Sequence, residues 1–318
     1  MYKIDELISL VNKQVESVEY PSAPSGLYEP VSYMLTLGGK RIRPVLMLMA
    51  YNMYKDNVMD IMPQALGLET YHNFTLLHDD LMDKSDLRRG SATVHKKWND
   101  NTAILSGDAM LVLAFKHFGV NKAFDDFVKA TLGVCEGQQY DMEFETRNDV
   151  TEAEYMEMIR LKTSLLLGYA LKIGAVLAGA SDEDASHLYD FGEKMGLAFQ
   201  LQDDILDVYG DPKLFKKKLG ADIVDNKKTY LLINALQLAN PRQKSELMKW
   251  IEMPEFDSDE KVAAVTSLYN NIGIPELARK KVEELFAESL CSLDAVSVPE
   301  DKKAEFRNFA NMLLGRKY

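Results

Sequence analysis

Apolar positions recur at helical intervals along almost the whole chain. Ile4, Leu7, Ile8, Val11 and Val15 predict a surface helix within residues 1–18, which the Pro- and Gly-containing stretch 20–26 ends. Residues 45–50 form a short apolar run, and residues 62–82 are apolar on most sides, which predicts a buried helix. Two further helices are expected over 101–119, with Gly107 and Asp108 unusual in its interior, and over 123–145. Thr151, followed by Glu152 and Glu154, is a helix N-cap, and its helix carries Lys162 and Thr163 into the apolar residues 165–180. Residues 199–207 fall in another apolar helix, and residues 230–318 continue as amphipathic helices. No Asn-Gly hairpin and no sustained period-two alternation occurs, and no Pro-, Gly- or Ser-rich linker divides the chain. The pattern predicts an all-α fold, a single domain over residues 1–318 built as a large bundle whose apolar central helices are shielded by amphipathic ones.

Composition narrows the class. The 318 residues suffice for one large domain or two ordinary ones, and 47% hydrophobic with 27% charged residues describes a globular chain. A net charge of -12 argues against nucleic acid as a partner, because that role needs a basic footprint. Cys135 and Cys291 offer neither a disulfide framework nor a zinc spacing. The first residues lack the basic-then-apolar order of a signal peptide, and no apolar run reaches the ~20 residues of a membrane span. A cytoplasmic protein with no membrane span is expected.

The candidate chemistry lies in acidic clusters. Asp79, Asp80 and Asp83 end the buried helix 62–82, and one-turn spacing puts Asp79 and Asp83 on one face. Such a face repels itself unless a cation sits there, although a solvated helix end would also fit. Asp203, Asp204 and Asp207 repeat the Asp-Asp-x-x-Asp pattern 124 positions later. Six carboxylates converging on a central cavity cannot all stay ionised without hard cations, and an all-oxygen donor set favours Mg²⁺. His72 lies on the stripe of Asp79 and Asp83, as a ligand contact or a core histidine. Gly38-Gly39-Lys40-Arg41-Ile42-Arg43-Pro44 suits a phosphate grip at a helix start, or a basic loop. Arg88 and Arg89 follow the first cluster, and Lys216-Lys217-Lys218 and Lys227 follow the second. Lys162, in apolar surroundings, either snorkels outward or meets an anion. These cations outnumber what metals alone would need and suit more than one anionic substrate.

Together the Gly-Gly-Lys-Arg-Ile-Arg-Pro box, both acidic motifs, Asp86-Leu87-Arg88-Arg89-Gly90, Lys162-Thr163 and Phe199-Gln200 resemble the trans-polyprenyl diphosphate synthases of the farnesyl and geranylgeranyl type, strongly over residues 30–235. The resemblance implies an all-α isoprenoid-synthase bundle, generally a homodimer. It also implies an allylic diphosphate held through three Mg²⁺ ions by Asp79, Asp80, Asp83, Asp203, Asp204 and Asp207, with Arg88, Lys162, Lys217 and Lys227 on the departing pyrophosphate. Isopentenyl diphosphate would be gripped by Lys40, Arg43, His72 and Arg89, while Thr163 and Gln200 would steady the allylic cation. Two positions depart from the family pattern: Lys216 and Asn226 stand where relatives usually show glycine.

Product length depends on the pocket floor. Thr75 lies one turn (~5.4 Å) before Asp79, and the bulky Phe74 beside it would stop a growing prenyl tail, unless it is simply core. C15 to C20 products are expected. A terpene cyclase would share the bundle and metals but needs only one diphosphate site, and a non-catalytic subunit would be expected to lose an acidic motif.

Overall fold

The 21-residue helix α4, Met62–Met82, carries the first acidic cluster at its end, and one face of it is fully buried through Ala65, Leu68 and Tyr71. Its start fits the local rules, with a proline in the first turn where a missing N–H costs nothing. The computed structural model describes residues 1–211 and 219–314. Lys216, Lys217 and Lys218 lie outside the described residues.

In order, the chain forms α1 (Ile4–Glu16), α2 (Ser25–Thr36), α3 (Ile42–Asn52), a 3₁₀ turn (Val58–Ile61), α4, a two-stranded hairpin of β1 (Leu87–Arg88) and β2 (Ser91–Ala92), α5 (Val94–Lys97), α6 (Asp100–Phe118), α7 (Phe124–Glu145) and α8 (Glu152–Ile159). A π turn (Arg160–Ser164) leads into α9 (Leu165–Ala178), followed by α10 (Asp182–Tyr209). Shorter and amphipathic helices follow at Ala221–Val224, Tyr230–Leu238, Pro241–Glu252, Ser258–Ile272, Ile274–Ala295 and Glu300–Leu314. The all-α expectation holds. The hairpin and α2 were not predicted, since β1 and β2 have two residues each and show no periodicity.

The contacts divide the described chain into two compact units. The first comprises Met1–Thr131, Tyr169–Tyr189 and Ser297–Glu305. In it α4 packs against α3 and α6, and α3 is buried from Pro44 to Asn52. Phe118 and Phe127 stack with centroids 4.1 Å apart, and the Tyr71 hydroxyl donates to the Thr131 carbonyl over 2.7 Å. The second unit comprises Leu132–Gly168, Asp190–Val296 and Phe306–Tyr318. Its core gathers Tyr155, Met158 and Ile159 of α8 with Leu201 and Ile205 of α10 and Leu231, Leu247 and Ile274 from the later helices.

The helical stretch Glu152–Ala178 is long and apolar enough to cross a membrane by composition alone, but 67% of its most apolar window is buried inside the protein. It reads as a core helix.

Candidate active site

In the first unit the acidic cluster closes α4. The backbone N–H of Asp83 donates to the Asp79 carbonyl over 2.8 Å, and that of Ser85 to the Asp80 carbonyl over 2.9 Å, so the last turn is capped by its own loop. Three aspartates thus sit at a helix C-terminus, where the macrodipole is already negative. Mutual repulsion and dipole together make this an attractive place for a cation. The three do not share one environment: Asp83 is exposed, Asp79 half-buried and Asp80 only 1% exposed. Asp80 Oδ1 accepts from Arg88 Nε over 2.9 Å and from Arg88 Nη2 over 2.6 Å. Two residues expected to grip metal and phosphate are therefore bound to each other.

The hairpin aims the two arginines. Arg89 and Gly90, its turn residues, both have positive φ, as a tight two-residue hairpin demands. Arg89 Nη1 donates to the Gly38 carbonyl and, over 3.4 Å, to Asn73 Oδ1. Its guanidinium carbon occupies the place a Cβ on Gly39 would need, 2.8 Å away, so the glycine at 39 is a seat for Arg89. Lys40 is exposed beside it.

Arg41 turns inward instead of joining the grip. It adopts the left-handed conformation at φ 50° just before α3, is 4% exposed, and pairs Nη1 with Glu69 Oε1 at 2.6 Å. Its Nη2 donates to the Leu35 carbonyl over 2.7 Å and its Nε to Asn12 Oδ1 over 3.0 Å. Glu69 Oε1 also accepts from Asn73 Nδ2 over 2.9 Å, which links the buried ion pair to the side chain that contacts Arg89.

Arg43 and His72 form the centre of this cationic group. Arg43 Nη1 lies 2.9 Å from His72 Nε2, and because a guanidinium can only donate, Nε2 is the acceptor and the imidazole is neutral. Burial, followed by the charges of Arg43, Arg89, Arg88 and Arg41, drives the His72 pKa well below its ordinary value. Burial also lowers Arg43, to about 10, against the raising influence of Glu69. Arg43 Nε is a buried donor with no acceptor. Clustered guanidinium groups with one donor unanswered are what a multiply charged oxyanion would satisfy.

Thr75 Oγ1 donates to the His72 carbonyl over 2.8 Å. Phe74, 9% exposed, packs its ring against Tyr71 and His78 with centroids 5.6 and 4.7 Å away.

In the second unit the Lys162-Thr163 pair is carried by the π turn, an irregularity where the Leu165 N–H reaches back to the Arg160 carbonyl. Two glycines hold it. A Cβ on Gly137 of α7 would come within 2.3 Å of Lys162 N, and one on Gly196 of α10 within 2.8 Å of Ser164 Cα. One turn beyond each glycine stands a polar partner. Lys162 Nζ lies 2.5 Å from Asp141 Oδ2 of α7, and Thr163 Oγ1 donates to Gln200 Oε1 of α10 over 3.3 Å.

Gln200 continues the relay, Nε2 donating to Asp204 Oδ1 over 3.3 Å, while the buried Tyr155 hydroxyl makes a short hydrogen bond to Asp204 Oδ2. Asp204 is 5% exposed, and burial raises its pKa to about 7, opposed by the bonds from Tyr155 and Gln200 and by Lys227. Asp207 Oδ2 accepts from the Asp222 backbone N–H over 3.0 Å, and Asp203 and Asp207 are half-buried. Burial raises Asp222 to about 6, with Lys227 opposing. Lys227 is exposed, its own N–H bonded to the Asp222 carbonyl over 2.9 Å.

Among the described residues no three His, Cys, Asp or Glu side chains form a closed cage for a metal ion. The donors available are carboxylates in ones and twos, which suits a hard ion that keeps its waters and completes its shell with substrate phosphate. Asp83 is exposed and Asp79, Asp203 and Asp207 are half-buried, while Asp80 and Asp204 are buried against Arg88 and against Tyr155 and Gln200.

Several contributors were missed from sequence. Glu69 carried a signal, since a carboxylate inside an apolar helix needs a cation and sits three positions before His72. Asp141 lies in the helix expected over 123–145, and nothing local ties it to Lys162, 21 positions away. Tyr155 and Asp222 gave no local sign, because their partners are 49 and 15 positions away.

Residues 24–269 match the polyprenyl synthetase family. Over 248 residues the chain is 40% identical to a geranylgeranyl diphosphate synthase of Methanosarcina mazei, covering 74% of this chain and 76% of that protein. Among solved structures, a geranylgeranyl pyrophosphate synthase superposes with a TM-score of 0.94 at 42% identity, covering 100% of both chains. A polyprenyl synthase from Caulobacter crescentus, solved with calcium and isoprenyl diphosphate, superposes with a TM-score of 0.86 at 26% identity over 99% of this chain and 98% of that one. The chain belongs to the polyprenyl synthetase family. It is a prenyltransferase of isoprenoid biosynthesis.

Proposed function

We propose that the protein is a short-chain trans-prenyl diphosphate synthase joining isopentenyl diphosphate head-to-tail to an allylic diphosphate of the C5 to C15 series, with C15–C20 products. The observation that carries this reading is the group of Arg43, Arg88 and Arg89 around a neutral His72, with Arg43 Nε buried and unanswered. It supplies an anion site in addition to the acidic motifs, as a reaction between two diphosphates requires. The names of the relatives agree with it.

In this reading Lys40, Arg43, His72 and Arg89 hold isopentenyl diphosphate. Asp79 and Asp83 in the first unit and Asp203 and Asp207 in the second would hold Mg²⁺, three ions being expected with substrate, and the metal would supply positive charge to the leaving pyrophosphate. Asp80 and Asp204 orient Arg88 and Gln200, and Lys162 and Lys227 add positive charge to the same oxygens. The allylic C–O bond breaks, and the terminal alkene carbon of isopentenyl diphosphate attacks the cation. The proton lost from the neighbouring carbon goes to pyrophosphate. Thr163 and Gln200 present their oxygens to the cation. Exposed Ile104, Leu105 and Val112 on α6 support a homodimer, and the exposed thiols Cys135 and Cys291 suit the cytoplasm.

Purified protein incubated with farnesyl diphosphate, isopentenyl diphosphate and Mg²⁺ should yield geranylgeranyl diphosphate, with nothing formed when either isopentenyl diphosphate or metal is omitted. Product formed without isopentenyl diphosphate would identify a cyclase or hydrolase. Asp79→Ala and Asp203→Ala should each lower turnover by at least ~100-fold while circular dichroism stays helical, because each removes a metal ligand and not a core contact. Near-normal turnover in either would refute the metal assignment.

A further inference from the structure

Lys261 lies in the first turn of helix Ser258–Ile272 in the second unit and is 1% exposed. This is a poor place for a cation. The ammonium loses its water, and the positive end of the helix dipole lies against it. The groups that hold its ammonium are neutral, with Asp225 the charge acting on it: Nζ donates to the Val224 carbonyl over 3.0 Å and to Asn226 Oδ1 over 2.8 Å, and it sits 4.0 Å from the centroid of the Phe256 ring. Helix stability does not account for it.

What those partners share is the segment carrying Lys227. Val224 ends the short helix Ala221–Val224, and Asn226 adopts the left-handed conformation at φ 53°. Asparagine enters that region more readily than most residues, and here its side chain is also held. Asn226 is held at both ends of its amide, with Oδ1 on Lys261 and Nδ2 on the Ile251 carbonyl at 3.1 Å. The next residue is Lys227, whose N–H is tied to the Asp222 carbonyl at 2.9 Å and whose carbonyl accepts from the Thr229 N–H at 2.8 Å. The backbone of Lys227 is thereby fixed on both sides while its side chain stays exposed. Glycine would reach the same φ without help, but would leave the segment free to leave it.

We infer that Lys261 is a positioning residue for Lys227: through Asn226 and the Val224 carbonyl it locks the backbone turn that presents the Lys227 ammonium to the diphosphate. The inference rests on the reading of Lys227 as a diphosphate-binding residue.

A double-mutant cycle on the full chain tests it, with steady-state kinetics on farnesyl and isopentenyl diphosphates and helicity by circular dichroism. Lys261→Met should stay helical and lose about tenfold or more in kcat/KM for farnesyl diphosphate, with the KM for isopentenyl diphosphate changed less than about twofold. In a Lys227→Ala background the same substitution should add less than about twofold, because the group it positions is gone. A loss of equal size in both backgrounds, or no loss in the parent, would overturn the inference. Should Lys261→Met fail to fold, Asn226→Gly in the same cycle decides, since it keeps the left-handed turn and removes the amide bridge; the same non-additivity is required of it. Full activity of Lys227→Ala alone would overturn the underlying reading, a result separable from additivity between two impaired variants.

Discussion

Arg43 Nη1 donates to His72 Nε2 over 2.9 Å, and the bond exists only while the imidazole is neutral. Protonation would remove the accepting lone pair and add a charge among four guanidinium groups. The unfolded chain takes up this proton near the ordinary pKa of 6.5, and the folded chain does so only well below it. The contribution of His72 to stability is therefore complete above pH 6.5 and declines as the pH falls below it, against the raised carboxyls of Asp204 and Asp222, which gain stability over the same range. Urea midpoints measured from pH 7.5 down to 5 should show the parent losing ground relative to His72→Gln, whose amide oxygen can still accept from Arg43 and in which both carboxyls are unchanged. A constant difference between the two proteins across this range would show that His72 does not carry the effect.

The buried Arg41–Glu69 pair makes a separable prediction. Glu69→Ala leaves a guanidinium at 4% exposure without its partner and should cost ~3–5 kcal/mol in equilibrium unfolding. Replacing both groups, Arg41→Met with Glu69→Leu, should recover most of that stability. The double variant should still bind isopentenyl diphosphate more weakly, because Asn73 loses the Glu69 oxygen that orients it toward Arg89. A double variant as unstable as Glu69→Ala would refute this division.

Phe74 bears on product length. Its ring is wedged between Tyr71 and His78, so Phe74→Ala opens a cavity and should cost ~3–5 kcal/mol in stability. If the ring is also the floor of the prenyl pocket, the variant should release products one or more C5 units longer than the parent. Chromatography of dephosphorylated products reads this directly, and an unchanged length distribution would leave Phe74 a core residue only.

The helices were legible because helical periodicity is local: α4 runs over the predicted residues 62–82, and Thr151 caps α8 with the full reciprocal box. The cations and carboxylates of the site were legible as types, but not as pairs. Nothing in the order of residues says that Asp80 faces Arg88, that Arg41 turns inward to Glu69 while its neighbour Arg43 meets His72, or that Lys162 finds Asp141. Those choices follow from a left-handed residue at 41, a two-residue hairpin at 89–90 and an extra residue at the π turn. Each is confined to one or two residues and leaves no periodic trace.

That extra residue has a mechanical meaning. Each residue of an α-helix advances the chain by about 100° around the axis, so relaxing the π turn to regular geometry would mean expelling one residue. Everything on one side would then rotate by that angle relative to the other. Tyr155, turned by that angle relative to α9, would swing its hydroxyl off Asp204, and the ammonium and hydroxyl at 162 and 163 would sweep to a different face. The small residues at 137 and 196 leave room for the wide turn and no more, so the angular setting of both side chains is dictated by their neighbours' lack of bulk.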